Sequence, residues 1–103
     1  MTNNIDKYSI PWDDFLVREL QDEEFARDFL NDSFVEYING GSFNAFFRSL
    51  ERVIKARTTV SQFAKDAEID RTNLYDLFKG KKKPQLKTVI KILAKLGYTL
   101  RIA

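Results

Sequence analysis

Four polar residues that suit helix caps divide this chain more firmly than anything else in it. Asp22, Ser42, Thr59 and Asp70 each stand before a run of apolar residues spaced three and four apart. A side-chain oxygen at such a position bonds a backbone N–H that the first helical turn leaves open. The stops match the starts. Asn39-Gly40-Gly41, Gly80 and Gly97 follow three of the runs, and glycine accepts the left-handed backbone that ends a helix. A chain of 103 residues punctuated in this way is the length of one modest helical domain.

The expected elements follow from these signals. Asp13 to Leu20 reads as a short helix, approached by extended backbone over Ile10, Pro11 and Trp12, because proline disfavours helical backbone before it. Phe25, Phe29, Leu30, Phe34, Tyr37 and Ile38 stripe the next helix, and Glu23 and Glu24 occupy its first turn, where carboxylates suit the helix dipole. Phe43, Phe46, Phe47, Leu50, Val53 and Ile54 stripe a third, closed by Lys55 and Arg57. Val60, Phe63, Ala64 and Ala67 give a fourth, where Thr59 and Gln62 have the spacing of a reciprocal cap. A fifth runs from Arg71 to about Lys79 on Leu74, Leu77 and Phe78, and a sixth uses Leu86, Val89, Ile90, Leu93 and Leu96. Tyr98 to Ile102 alternates apolar and polar and reads as a short β-strand. The fold class expected is all-α with that C-terminal strand.

Charge divides the chain at the same glycines. Residues 1–41 hold three basic and ten acidic residues, a balance of −7, while 42–103 hold fourteen basic and five acidic, a balance of +9. The expected organisation is an acidic N-terminal extension, 1–41, before a basic domain, 42–103. A basic surface attracts polyanions and an acidic one attracts basic partners; two solvated helix faces are the plainer alternative. With neither cysteine nor histidine, thiolate zinc sites, cysteine nucleophiles and the commonest general base are excluded. Asp13 with Asp14 and Glu23 with Glu24 are neighbours in sequence, which on a helix do not face each other. No phosphate loop, nucleophile elbow or metal-ligand spacing occurs. A binding protein without cofactor or metal is expected, not an enzyme. Met1 to Ile10 lacks the basic start and apolar core of a signal peptide, and no apolar run is long enough for a membrane helix. A soluble cytoplasmic protein is therefore the expectation.

Two short helices joined by a tight turn, capped by Thr59 and Asp70, read as a helix-turn-helix. Ala64 is small where the helices must approach, Ile69 fills the turn, and Leu74 and Leu77 face inward. Arg71, Thr72, Asn73, Tyr75 and Asp76 are left on the outside. In such motifs the second helix enters the major groove of double-stranded DNA. Arginine suits guanine O6 and N7, and asparagine suits adenine N6 and N7. The backbone N–H groups at Val60 and Ser61, and near Leu86 and Lys87, are placed to hold phosphates. Lys79, Lys81, Lys82, Lys83 and Lys87 supply sequence-independent attraction. A bundle with a merely solvated polar face is the alternative; the basic balance, both caps and the polar start of the second helix favour DNA.

The run Thr59-Val60-Ser61-Gln62-Phe63-Ala64, then Ile69 to Tyr75, Phe78-Lys79-Gly80-Lys81, Pro84, and Thr88-Val89 to Leu96-Gly97 resembles the lambda-repressor-like, Xre-type helix-turn-helix family. Glu68 departs from it, standing where that family often has glycine. A left-handed residue other than glycine costs about 1–2 kcal/mol, so a turn of different detail is expected. Over a wider span, Ile10-Pro11-Trp12-Asp13, the acidic helix, Ala56-Arg57 and Leu96-Gly97-Tyr98-Thr99-Leu100 resemble the addiction-module antidote proteins, HigA-like antitoxins.

That resemblance implies a bacterial or phage antitoxin that blocks a small basic RelE/HigB-like RNase toxin and represses the shared operon as a homodimer, associated with the nucleoid when bound to DNA. The acidic segment is then the expected toxin contact, with Tyr8, Trp12, Asp13, Asp14, Phe15, Glu23 and Glu24 as candidates. Phe25, Phe29 and Phe34 are better explained as this chain's own core. The Tyr98–Ile102 strand is expected to pair across a two-fold axis or with a partner's sheet. A phage-type or chromosomal Xre repressor with no toxin is the alternative reading.

Overall fold

Helix α3 is the axis on which the other elements are hung. The computed structural model describes residues 12–101, which hold α1 (Trp12–Glu19), α2 (Glu23–Ile38), α3 (Phe43–Arg57), α4 (Val60–Ala67), α5 (Arg71–Phe78) and α6 (Leu86–Leu96). Phe46, Phe47, Leu50, Val53 and Ile54 of α3 are all buried, and α1, α2, α4 and α5 pack on it, while α4 also packs on α5 and α6. Leu16 and Leu20, Ala26 and Leu30 belong to the same core as Leu74, Ile92 and Leu96. Aromatic rings stitch α2, α3 and α5 together: Phe34 lies 5.4 Å from Phe46, Tyr37 5.0 Å from Phe43, and Phe47 6.1 Å from Phe78. Phe25, Phe29 and Phe34 are partly buried against this core, as their spacing implies. No polar or charged residue is buried among the described residues, so burial of apolar surface is the dominant stabilising term.

The caps lie where the sequence puts them. Asp22 accepts from the N–H groups of Glu24 and Phe25 at 2.9 and 3.0 Å, Ser42 from Ala45 at 3.4 Å, Thr59 from Gln62 at 3.1 Å and Asp70 from Asn73 at 3.0 Å. The Thr59–Gln62 cap is one-sided, however. The Gln62 amide donates instead to Asp66 Oδ1 at 2.9 Å, one turn along α4. Gly41 closes α2 tightly: its N–H donates to the Glu36 carbonyl at 2.9 Å, and a Cβ there would lie 2.7 Å from that oxygen.

Two expectations need correction. Trp12 is the first residue of α1, not part of an extended approach; proline restrains the residue before it, and Ile10 and Pro11 lie outside the described residues. The C-terminal strand is absent, since residues 98–101 form none; Ile102 lies outside the described residues. Strand structure requires a paired ladder, and no other strand is present among the described residues. Tyr98 belongs to a helix cap instead. Gly97, at φ +95°, turns the chain back so that the Tyr98 N–H donates to the Leu93 carbonyl at 2.8 Å. The Arg57 guanidinium then holds the Tyr98 hydroxyl at 2.6 Å and the Leu96 carbonyl at 2.7 Å.

Candidate nucleic-acid interface

Helices α4 and α5 are eight residues each and are joined by only three residues, 68–70. Glu68 takes the left-handed conformation, φ 57° and ψ 45°, so the turn keeps the form that glycine would favour and does not rearrange. The Ile69 N–H donates to the Ala64 carbonyl at 2.9 Å, and Lys91 Nζ donates to the Glu68 carbonyl at 3.2 Å. Ala64, Leu74 and Leu77 are buried, and Ile69 packs against the core. Burial of Leu74, Leu77 and Phe78 fixes which face of α5 is left outside.

On that face Arg71 and Thr72 are exposed, while Asn73, Tyr75 and Asp76 are half-buried. Asn73 is not idle: Lys82 Nζ donates to its Oδ1 at 3.0 Å and stands 4.0 Å from Asp76 Oδ2. Lys79 lies 6.0 Å above the Tyr75 ring, which itself packs on the core. Lys81, Lys83 and Lys87 are exposed. The lysine loop therefore folds against α5 through Lys82 and presents its other ammonium groups to solvent.

Two helix starts carry the other candidates. Thr59 and Ser61 lie at the start of α4. The Val60 side chain is buried, so only its backbone is on offer there. Gln85 makes no side-chain cap for α6, whose first N–H groups, those of Leu86 and Lys87, are left without an acceptor among the described residues. Uncapped N–H groups and the positive end of the helix dipole favour an anion.

The acidic candidates lie in α1 and the first turn of α2. Asp14, Phe15, Glu23 and Glu24 are exposed, and Glu24 is 4.0 Å from Arg27. Trp12 and Asp13 belong to α1, but their side chains, and the whole of Tyr8, lie outside the described residues. The sequence reading passed over Arg48 and Arg52 and took Lys55 only as a helix end, although the three form a basic row at helical spacing along α3. Attention to the period of the charges, and not only of the apolar stripe, would have found it. No group of side chains able to hold a metal occurs among the described residues, and none of their helices is long and apolar enough to cross a membrane.

A family model described as a probable addiction module antidote protein matches residues 13–103. The chain belongs to that family. No curated protein and no solved structure matches it. An antidote of an addiction module counters a toxin, so membership gives this chain an antitoxin role and, in general terms, a toxin partner. The matched span takes in both the acidic helices and the basic α4–α5 face, so both surfaces of the antidote lie within the family's boundaries.

Proposed function

We propose that the antidote represses its own operon through α4 and α5, an Xre-type, lambda-repressor-like helix-turn-helix of the HigA kind. Its α5 lies in the major groove of operator DNA, with Arg71, Thr72 and Asn73 at base edges. Tyr75 packs beside them, and Lys79, Lys81, Lys82, Lys83 and Lys87 meet phosphates, as do the helix starts at Thr59, Val60 and Ser61. The observation that carries this reading is the exposure of Arg71 and Thr72 at the start of α5, the helix against which the lysine loop is held through Lys82 and Asn73. A homodimer reads two half-sites about one helical turn apart. The toxin is RelE/HigB-like, a small basic RNase, and meets the acidic surface of α1 and α2 in the cytoplasm. The division at residue 41 is one of surface role, since Leu16, Leu20, Ala26 and Leu30 share the core of 42–103.

Fluorescence anisotropy with a duplex drawn from upstream of the antidote's own gene tests the DNA reading. Arg71→Ala is expected to weaken binding about 5- to 150-fold and to relax preference at one base pair, with two chains bound per wild-type duplex. Unchanged affinity and preference would remove α5 from the groove.

A further inference from the structure

A second basic feature, outside the α4–α5 face, lies on α3. Arg48, Arg52 and Lys55 follow one another at helical spacing and line a single groove of about 530 Å³ between α1 and α3, which Lys79 closes from the end of α5. Leu16 and Phe78 give it an apolar floor. Its one acidic residue, Glu51, is paired to Lys55 at 3.3 Å, so the lining keeps an excess of positive charge. Arg48 is exposed and makes no ion pair among the described residues.

This groove is continuous with the lysine loop. Lys79 belongs to both surfaces. Asn44, one turn before Arg48, presses on Gly80, where an added Cβ would come within 2.8 Å of the Asn44 side chain. The start of the loop is thus seated against the first turn of α3, and Lys79 lines the same groove as Arg48.

We propose that the α1–α3 groove is a second strip of phosphate contact, carrying the backbone of bound double-stranded DNA from the lysine loop onto Arg48 and Lys79. The inference rests on the DNA-binding reading above and extends its footprint beyond the two short helices. The occupant is DNA because the lining holds four basic side chains against one carboxylate, three of them at helical spacing along α3, and Lys79 joins it to the face proposed to hold DNA. A polyanion of regular spacing fits such a row. Each phosphate neutralised releases counterions and adds about 0.9 to the slope of log affinity against log salt.

The test compares full-length wild type, Arg48→Gln and Lys95→Gln by anisotropy. Lys95 loses the same charge from the last turn of α6, outside the groove. The probe is a labelled duplex of about 30 base pairs of arbitrary sequence, titrated from about 50 to 400 mM salt, where phosphate contacts dominate binding. Arg48→Gln is expected to flatten the slope by about 0.9 and to weaken binding about five-fold near 0.15 M salt. Arg48→Lys should restore both, and Lys95→Gln should leave the slope alone. Because Arg48 is exposed, matching thermal melts confirm that folding is intact. A wild-type slope in Arg48→Gln, beside steep salt dependence in the wild type, overturns the strip and leaves the DNA reading standing. Wild type that shows no salt-dependent binding overturns both. An unchanged slope with loss of toxin binding assigns the groove to protein and overturns the proposal.

Discussion

Glu68 carries the one positive φ held by a residue other than glycine among the described residues. Its Cβ crowds the following carbonyl in that conformation, at a cost of about 1–2 kcal/mol. The turn endures because Ile69 is tied to Ala64, and because Lys91 reaches the Glu68 carbonyl. Glycine would remove the strain but return part of the gain through the greater freedom of the unfolded chain. Glu68→Gly is expected to raise stability by about 0.5–1 kcal/mol, seen as a rise in Tm of about 2–6 °C. A lower Tm would mean that the Glu68 side chain contributes more than its backbone costs. The anomaly was legible in the sequence, but its resolution was not: a strained residue is tolerated by contacts from other elements. Arg57 teaches the same lesson. Its place near a helix C-terminus is plain from the sequence, yet its guanidinium serves Leu96 and Tyr98, 39 and 41 residues away. Asn73 likewise reads as a free base contact by spacing alone. Its Oδ1 already accepts from Lys82, so one of the two acceptor positions of that oxygen is taken before any base is met.

Helix starts were the most legible elements because a cap is a contract between residues two or three apart. Asp22, Ser42, Thr59 and Asp70 each meet it. The strand was not legible, because alternation describes a half-buried segment and cannot supply its partner. Among the starts of α2 to α6 the weakest is that of α6, where Gln85 has extended backbone, φ −84° and ψ 152°, but no cap bond. Gln85→Asp supplies the missing acceptor and is expected to stabilise the fold by about 0.5–2 kcal/mol. It also places a negative charge beside the Leu86 and Lys87 N–H groups. Thermal melting and duplex binding should therefore move in opposite directions, Tm upward and affinity downward by several-fold. Affinity that stays level while Tm rises would exclude the start of α6 from phosphate contact.

At the scale of the molecule the opposed charges, −7 and +9 on either side of residue 41, rest on one core. The charge balance was legible by counting. The shared core was not, because only packing brings Leu16, Leu20, Ala26 and Leu30 against α3. Cutting the chain at Ser42 would strip the rings of α2 from Phe43 and Phe46, so truncation mixes loss of a surface with loss of the fold. Exposed charges separate the two. Glu23→Lys with Glu24→Lys reverses charge in the first turn of α2, where both residues are exposed. The Asp22 cap should survive it, at a dipole cost of about 1 kcal/mol or less per residue. This pair is expected to weaken growth rescue from the toxin while operator binding is kept, and Arg71→Ala is expected to do the reverse. Phe46→Ala opens a cavity under both surfaces at about 3–5 kcal/mol and should impair the two activities together. The check is a paired measurement, rescue of growth and duplex affinity, on all three variants beside the wild type. If the Glu23 and Glu24 reversals leave rescue intact, the toxin sits elsewhere on the antidote, and the acidic turn of α2 serves only to start its helix. If Arg71→Ala abolishes rescue as well, one surface serves both partners, and toxin and operator must compete for it.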